Sequence, residues 1–123
     1  MNGLDGLFKF AEGPAAGSTT STVLVLIRAD HAIFLGHFPG RPVVPGVCMV
    51  HIANRIADRM YGAPLRISHA RSIKFLAPVD PRSTEELRYE MTLTSTGFGR
   101  RIDAQALLGG TIVLKLTAEL VPR

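Results

Sequence analysis

The second half of the chain alternates between apolar and polar residues in a way that predicts β-strands. Ser68–Phe75 and Glu86–Thr96 have this period of two, which places every second side chain on one face of a sheet. Two further predicted strands follow, with glycine-containing hairpin turns at 97–99 and 109–110: Arg100–Leu108 and Thr111–Val121.

Residues Val47–Tyr61 instead repeat with the period of an α-helix. Apolar residues recur every three or four positions and predict one buried stripe: Met49, Ile52, Ala53, Ile56 and Met60. The opposite side carries Val47, His51, Asn54, Arg55 and Asp58. Gly62 and Pro64 follow the segment, as is usual after the C-terminus of a helix.

The predicted order is two strands, one long helix and three or four antiparallel strands. In the first half, the β-branched and leucine-rich run Thr22–Arg28 is short for a helix and predicts a buried strand. A chain of 123 residues is long enough for one core, so we expect a single α+β domain over residues 1–123. One helix covers only one face of a sheet, which predicts dimerisation or a sheet continued across a dimer.

Composition narrows the function classes. The chain has 46% hydrophobic and 20% charged residues, as an ordinary globular protein does, and no apolar run approaches the ~20 residues of a membrane span. Residues 1–13 lack a basic start followed by an apolar block, so we expect no secretory signal and a cytoplasmic location. Cys48 is the single cysteine and is expected to be a small buried side chain without an intrachain disulfide.

The net charge of +4 favours acidic partners through long-range attraction. The basic residues are nevertheless scattered, tryptophan is absent, and no familiar metal-ligand or nucleic-acid-binding spacing occurs. We therefore expect no nucleic-acid partner, no metal site and no cofactor.

Residues 36–46, GHFPGRPVVPG, form the most distinctive stretch of the sequence. Its glycines and prolines exclude regular secondary structure and predict an ordered loop that ends where the helix begins. Together, GHFPGRPVVPGV at 36–47 and SIKFLAPVDP at 72–81 resemble the 3-hydroxyacyl-[acyl-carrier-protein] dehydratases of the FabA/FabZ type. The resemblance covers roughly residues 22–121, and the His-Arg-Tyr-Pro-Phe-Leu segment of the bacterial fatty-acid enzymes is missing, so the chain looks like a shortened relative.

This resemblance implies a hotdog fold, in which a curved antiparallel sheet wraps around one central helix at about residues 46–61. It also implies an obligate dimer with active sites at the subunit interface, formed with itself or with a related chain. The implied substrates are 3-hydroxyacyl thioesters on the phosphopantetheine arm of acyl carrier protein. The implied reaction is their dehydration to trans-2-enoyl thioesters in fatty-acid or polyene/polyketide-type synthesis.

Dehydration requires a base beside the thioester carbonyl, a group that stabilises the enolate oxygen, and an acid for the departing hydroxyl. By the resemblance, His37 is the base, because a neutral imidazole can accept the proton at cellular pH. The resemblance also assigns the backbone amide of Gly46, at the positive end of the helix, to the thioester oxygen. From the residues alone, His37 could instead cap a turn and Gly46 could serve only the turn into the helix. Phe38, Pro45 and Val47 are the remaining predicted substrate-binding residues.

His51 occupies the position at which the family carries a glutamate or aspartate supplied from the other subunit, and Arg55 stands where glutamine is frequent. We expect His51 to face solvent or a subunit interface and to act as the acid or hold a water. The alternative is that the acid has been lost, and that the chain is a non-catalytic subunit that binds acyl thioesters or pairs with another dehydratase chain. A hotdog thioesterase is the least favoured alternative, because no carboxylate lies where this family would activate water.

Other side chains have weaker predictions. Asn54 either orients His51 or is a solvated helix residue, and Asp58 is expected to be a surface residue paired with an arginine. His31 and His69 are expected to be structural. Three phenylalanines are expected in the core or along an acyl tunnel: Phe34, Phe38 and Phe75. Five basic residues are candidates for contact with acidic acyl carrier protein, although an ordinary solvated surface explains each of them equally well: Arg66, Arg71, Lys74, Arg100 and Arg101.

Overall fold

The computed structural model describes residues 6–14, 16–36, 40, 42–97 and 99–123. The strands and the α-helix are β1 Phe8–Glu12, β2 Thr20–Ile27, α1 Gly46–Tyr61, β3 Leu65–Phe75, β4 Leu87–Ser95, β5 Arg100–Leu108 and β6 Thr111–Pro122, with a 3-10 helix at Ala32–Gly36. The predicted order of two strands, a helix and further strands is therefore confirmed. Strand β3 begins at Leu65 rather than at Ser68, and β1 is the strand that the sequence pattern did not locate.

The strands form a six-stranded sheet in the order β1-β2-β4-β5-β6-β3, and every neighbouring pair is antiparallel. Register shifts interrupt the ladders within β1, β3 and β5, and the two within β3 fall between Ile67 and His69 and between Ala70 and Ser72. Such irregularities bend a strand and increase its twist, which lets the sheet curve around the helix. The predicted α+β class is confirmed.

The core lies between α1 and the inner face of the sheet. All five residues of the predicted helical stripe are buried, and Cys48 and Ala57 are buried with them. On the facing strands, alternate residues are buried in the same core, including Tyr89, Ile102, Leu114, Leu116 and Leu120. This burial confirms the period-two prediction, because the same strands place charged and hydroxyl side chains on the outer face.

Both ends of α1 follow from local sequence. Gly62 has φ 89°, a left-handed conformation that favours glycine, and its N–H donates to the Asp58 carbonyl at 2.8 Å. The helix begins after Pro45, whose fixed φ suits the entry of the chain. Cys48 in the first turn is fully buried, as expected, and this burial raises the pKa of its thiol.

Strand β3 is the most exposed part of the sheet. Among the described residues it pairs with β6 only, and every residue from Ser68 to Phe75 is exposed. Ile73 and Phe75 are 41% and 55% exposed, although both are large apolar side chains. A long edge strand with exposed apolar side chains is a surface on which another strand can add.

Candidate functional site

The loop before the helix is hydrogen-bonded to another segment near its C-terminal end. It follows the 3-10 helix Ala32–Gly36, and the Val44 N–H donates to the Val79 carbonyl at 2.8 Å, which ties its C-terminal part to the chain beyond β3. His37 and Phe38, two of the predicted site residues, lie outside the described residues. Their roles stay predictions.

The first turn of α1 presents backbone donors. The Pro45 carbonyl accepts hydrogen bonds from Cys48 N–H at 2.9 Å and Met49 N–H at 3.2 Å, and Pro45 has no side chain that can accept from the turn. The N–H groups of Gly46 and Val47 lie at the helix start, where an α-helix supplies no internal acceptor and the helix dipole is positive. Val47 is 71% exposed, so this end of the helix is accessible. Such a turn can polarise a carbonyl oxygen.

Gly46 packs directly against the ring of Phe75. A Cβ atom added to Gly46 would lie 2.6 Å from Cζ of Phe75 and 2.9 Å from Cε1. The φ of Gly46 is not positive, so the turn into the helix does not require glycine. The need for glycine here comes from the close approach of Phe75, a contact that the sequence did not reveal.

An apolar cleft of about 420 Å³ opens beside this contact. Its walls come from the end of the loop, the first turn of α1, the end of β3 and the segment after it: Val43, Val44, Gly46, Met49, Phe75, Leu76, Ala77, Pro78, Val79 and Val113. Phe34 is buried in the core, whereas Phe75 is half exposed and lines this cleft. Phe75 is thus an acyl-tunnel candidate rather than a core residue.

His51 lies on another side of α1. It lies five positions after Gly46 in the helix, which corresponds to a rotation of about 140° around the helix axis. Its ring is half-buried and meets the ring of Phe8 on β1 edge-on, with 6.1 Å between the ring centroids. That His51 faces solvent or a subunit interface stays a prediction, and the structure adds that its ring packs against β1 of its own chain. It lines a second cleft, of about 300 Å³, between β1 and α1.

Asn54 and Asp58 connect α1 to β3. The Asn54 side-chain amide donates to the Leu65 carbonyl at 3.0 Å and to Asp58 Oδ1 at 3.1 Å, and Asp58 Oδ1 also accepts the Leu65 N–H at 2.8 Å. The interpretation of Asn54 as a solvated helix residue is wrong, since its amide binds the start of β3, and its orientation of His51 stays a prediction. Asp58 does pair with Arg55, at 3.6 Å, but its side chain is only 21% exposed. Burial raises the pKa of the Asp58 carboxyl, against the lowering effects of the Leu65 hydrogen bond and of Arg55.

Tyr89 makes a further buried polar contact to the helix, which the sequence pattern did not indicate. Its hydroxyl donates to the Met49 carbonyl in α1 at 2.8 Å. Burial raises the pKa of Tyr89 far above its usual value, so the hydroxyl stays protonated. The signal available in the sequence was a tyrosine at a core-facing position of an alternating strand.

The candidate basic residues divide into two groups. Arg66, Arg71 and Lys74 are exposed along β3, where Arg71 also reaches Glu119 at 3.2 Å. Arg100 lies over the ring of Tyr61, with 4.8 Å to the centroid, and Arg101 donates to Asp103 at 3.0 Å. The β3 group is therefore the part of the set that offers positive charge along an open edge.

Within the described ranges, no group of three or more His, Cys, Asp or Glu side chains is arranged to hold a metal ion. Among the same residues, no helix combines the length and the apolar character that crossing a membrane requires.

Sequence comparison identifies the family. The model of the ApeI-like family, described as ApeI dehydratase, matches residues 15–110 of the 123-residue chain. The chain belongs to the ApeI-like dehydratase family. The 3-hydroxyacyl-[acyl-carrier-protein] dehydratase FabZ of Chlamydia trachomatis serovar L2 is 30% identical to it over 96 residues, which are 71% of this chain and 62% of that enzyme. FabZ of Herpetosiphon aurantiacus is 28% identical over 94 residues, covering 71% and 66% respectively. The FabZ resemblance drawn from the loop and strand motifs is confirmed.

Solved structures agree on the fold of this ApeI-like chain. The dehydratase heterocomplex ApeI:P from Xenorhabdus doucetiae contains a chain that superposes with a TM-score of 0.77 at 16% identity, over 92% of this chain and 96% of that one. The HP0420 homologue from Helicobacter felis superposes with a TM-score of 0.70 at 18% identity, over 98% and 91%. The predicted hotdog fold is confirmed. The chain spans 62% of the length of the Chlamydia FabZ enzyme.

Proposed function

We propose that residues 1–123 act as one hotdog domain of a dehydratase that converts 3-hydroxyacyl thioesters on acyl carrier protein to trans-2-enoyl thioesters. The observation that carries this proposal is the placement of Gly46 and His51 in different clefts on different sides of α1. Within one chain, Gly46 and His51 line different clefts, which supports a site shared between two chains. Two chains that exchange these surfaces can assemble a complete site.

The proposed chemistry assigns one role to each group. The neutral imidazole of His37 takes the proton from C2, next to the thioester carbonyl, and the C2 electron pair moves toward that carbonyl. The N–H groups of Gly46 and Val47 stabilise the negative charge that develops on the carbonyl oxygen. His51 of the other chain gives a proton to the 3-hydroxyl as its C–O bond breaks, so that water leaves and the C2=C3 double bond forms.

The apolar cleft supports the acyl part of this proposal. Phe75, Met49 and Val113 line it, and Gly46 stands at its edge. Acyl chains bind in clefts of this type because apolar contact removes the chain from water. We propose that Pro45, Val47 and Phe38 complete the wall nearest the thioester.

The exposed edge of β3 supports assembly with a second hotdog chain. Its outer side pairs with no other described strand, and this open edge and the exposed Ile73 and Phe75 suit antiparallel pairing with another edge strand. The neighbour from Xenorhabdus doucetiae is described as a heterocomplex, which supports a related chain as partner as well as a second copy. Arg66, Arg71 and Lys74 on this strand give the same region a positive charge suited to acidic acyl carrier protein.

A second candidate function has one observation in its favour. The position of the family's acidic residue holds His51, and this ring packs against Phe8 of its own chain. If that packing keeps His51 from the substrate, the chain is a subunit that binds acyl thioesters or supports a catalytic partner. A thioesterase stays the least favoured function, because it needs a carboxylate or a similar group that activates water, and the position where this family would place one holds His51.

Turnover of a 3-hydroxyacyl thioester, followed by formation of the conjugated enoyl product, tests the proposal. We expect activity in the wild type, alone or with a related chain, near-complete loss in His37→Ala and a large loss in His51→Ala. His31→Asn is the matched control, because it keeps an acceptor for the Ile33 N–H that His31 Nδ1 binds at 3.0 Å. Absence of turnover under all of these conditions would refute the dehydratase and leave the acyl-binding subunit.

A further inference from the structure

The second cleft, between β1 and α1, is lined by cations and aromatic rings. Its lining is Gly6, Phe8, Lys9, Phe10, His51, Arg55 and Arg59, and none of these residues is acidic. We call it the basic cleft. Its volume of about 300 Å³ exceeds the size of a single ion and suits one end of an organic ligand.

Three of its side chains repeat at intervals of four residues along α1. His51, Arg55 and Arg59 therefore share one face, with Arg55 about 6 Å and Arg59 about 12 Å along the helix axis from His51. Arg55 and Arg59 carry like charges four residues apart, a spacing that opposes helix formation. These two basic side chains lower the stability of the helix and yet both line the same cleft. Such a loss of stability is typical of a binding site.

The cations keep capacity for a ligand. Among the described residues, no carboxylate lies within 4.0 Å of Lys9 or Arg59. The Arg59 guanidinium lies 4.8 Å above the ring of Phe10, a contact that orients its plane without neutralising its charge. Arg55 Nε lies 3.6 Å from Asp58 Oδ2, which is longer than a hydrogen bond, and the Arg55 side chain is 53% exposed.

We propose that the basic cleft binds an oxyanion at the far end of the acyl chain, so that the preferred substrate is a thioester whose acyl group ends in a carboxylate. This inference rests on the proposed function, because it takes His51 as the group beside the reacting carbon. The thioester end of the acyl group then lies at the apolar cleft of one chain, and its far end continues past His51 of the other chain. Arg55 and Arg59 of that other chain lie farther along the acyl group, and Phe8 and Phe10 contact its remaining methylene groups. A guanidinium binds a carboxylate through two parallel hydrogen bonds, which favours a carboxylate over a methyl end.

The phosphate of the phosphopantetheine arm is the other source of an oxyanion. It lies on the opposite side of the thioester from the acyl end. If the phosphate bound at Arg59, the pantetheine arm would lie along Arg55 and Arg59. The acyl end would then extend from His51 in the opposite direction. The structure accordingly favours the acyl end.

Calorimetric binding of four matched ligands tests the inference without requiring turnover. The ligands are the thioesters of 3-hydroxyoctanoate and of the equally long 3-hydroxysuberate with one free carboxylate, each on pantetheine and on phosphopantetheine. We expect the suberyl ligands to bind at least about tenfold more tightly on both arms, which corresponds to the discrimination a charge-assisted pair provides. We also expect this preference to decrease at high salt.

Arg55→Gln and Arg59→Gln should each reduce the preference, and Arg59→Lys should retain most of it. The matched control is Arg82→Gln, because Arg82 is exposed, pairs with Asp80 and lines neither cleft. Equal affinity for octanoyl and suberyl ligands would overturn the inference, and so would a preference that follows the phosphate regardless of the acyl end. Carboxylate-selective binding without turnover would overturn the dehydratase proposal alone, so the two failures are distinguishable.

Discussion

The ring of Phe75 covers the Cα of Gly46, so that a single added methyl group at position 46 would lie 2.6 Å from Cζ of Phe75. This contact joins the first turn of the helix, which presents the proposed oxyanion donors, to the end of the edge strand that lines the apolar cleft. The same residue pair therefore determines both the width of the cleft and the access to the helix N-terminus.

Gly46→Ala tests this relationship. Half of Phe75 is exposed, so its ring can move aside. We therefore expect the free energy of unfolding to fall by no more than the roughly 1–3 kcal/mol that is typical of overpacking. The free energy of acyl-thioester binding should fall by more than this. Urea unfolding and calorimetric binding measure the two effects. Addition of Phe75→Ala should remove the clash, so the double variant should bind better than the sum of the two single changes predicts. Strict additivity would show that the two residues do not interact in this way.

The connection of Asp58 to Leu65 predicts an effect on stability. Asp58→Ala leaves the Leu65 N–H and the Asn54 amide without this acceptor, which should cost about 1–3 kcal/mol in the free energy of unfolding. Asp58→Asn keeps an acceptor oxygen and should cost less. Asp30→Asn is the control, because the Asp30 side chain is 82% exposed. An Asp58→Ala protein as stable as the control would contradict this role.

The same carboxyl predicts a direction of pH dependence. Its pKa is raised in the folded state, so the folded protein holds this proton more tightly than the unfolded chain does. Its contribution to stability is consequently largest below the ordinary value of 3.8 and is lost as the pH rises through the raised pKa. Comparison of urea unfolding of the wild type and Asp58→Asn across mildly acidic pH should show this contribution only in the wild type. A wild-type contribution that grows with rising pH in that window would contradict the sign.

The charge of β3 predicts how salt acts on assembly. Residues 65–75 contain Arg66, Arg71 and Lys74 and no acidic residue. Pairing of two copies through this strand brings like charges together, so added salt should strengthen the association, and Lys74→Glu should strengthen it at low salt. Light scattering or sedimentation across salt concentrations measures both effects. If the partner is a related chain with an acidic edge strand, added salt should instead weaken the association. Pairing through β3 would be contradicted if the wild-type protein stayed monomeric both alone and with partner chains.

Sequence periodicity located the helix and most of the sheet because burial on one face repeats at fixed intervals. It did not locate β1, since FKFAE is short and none of its residues is fully buried. The partners of His51, Asn54 and Phe75 also escaped prediction, because each contact joins segments whose proximity depends on the sheet order rather than on spacing along the chain. The loop motif identified the family correctly, whereas only the structure shows that Gly46 and His51 serve different clefts.

Complementation between two inactive variants tests the central claim most directly. His37→Ala and His51→Ala are each expected to have little activity with a 3-hydroxyacyl thioester. If each site takes His37 from one chain and His51 from the other, mixed dimers contain one intact site, and an equimolar, fully exchanged mixture should recover about a quarter of wild-type activity. A mixture that stays as inactive as its components, although chain exchange is demonstrated, would contradict a site shared between two chains.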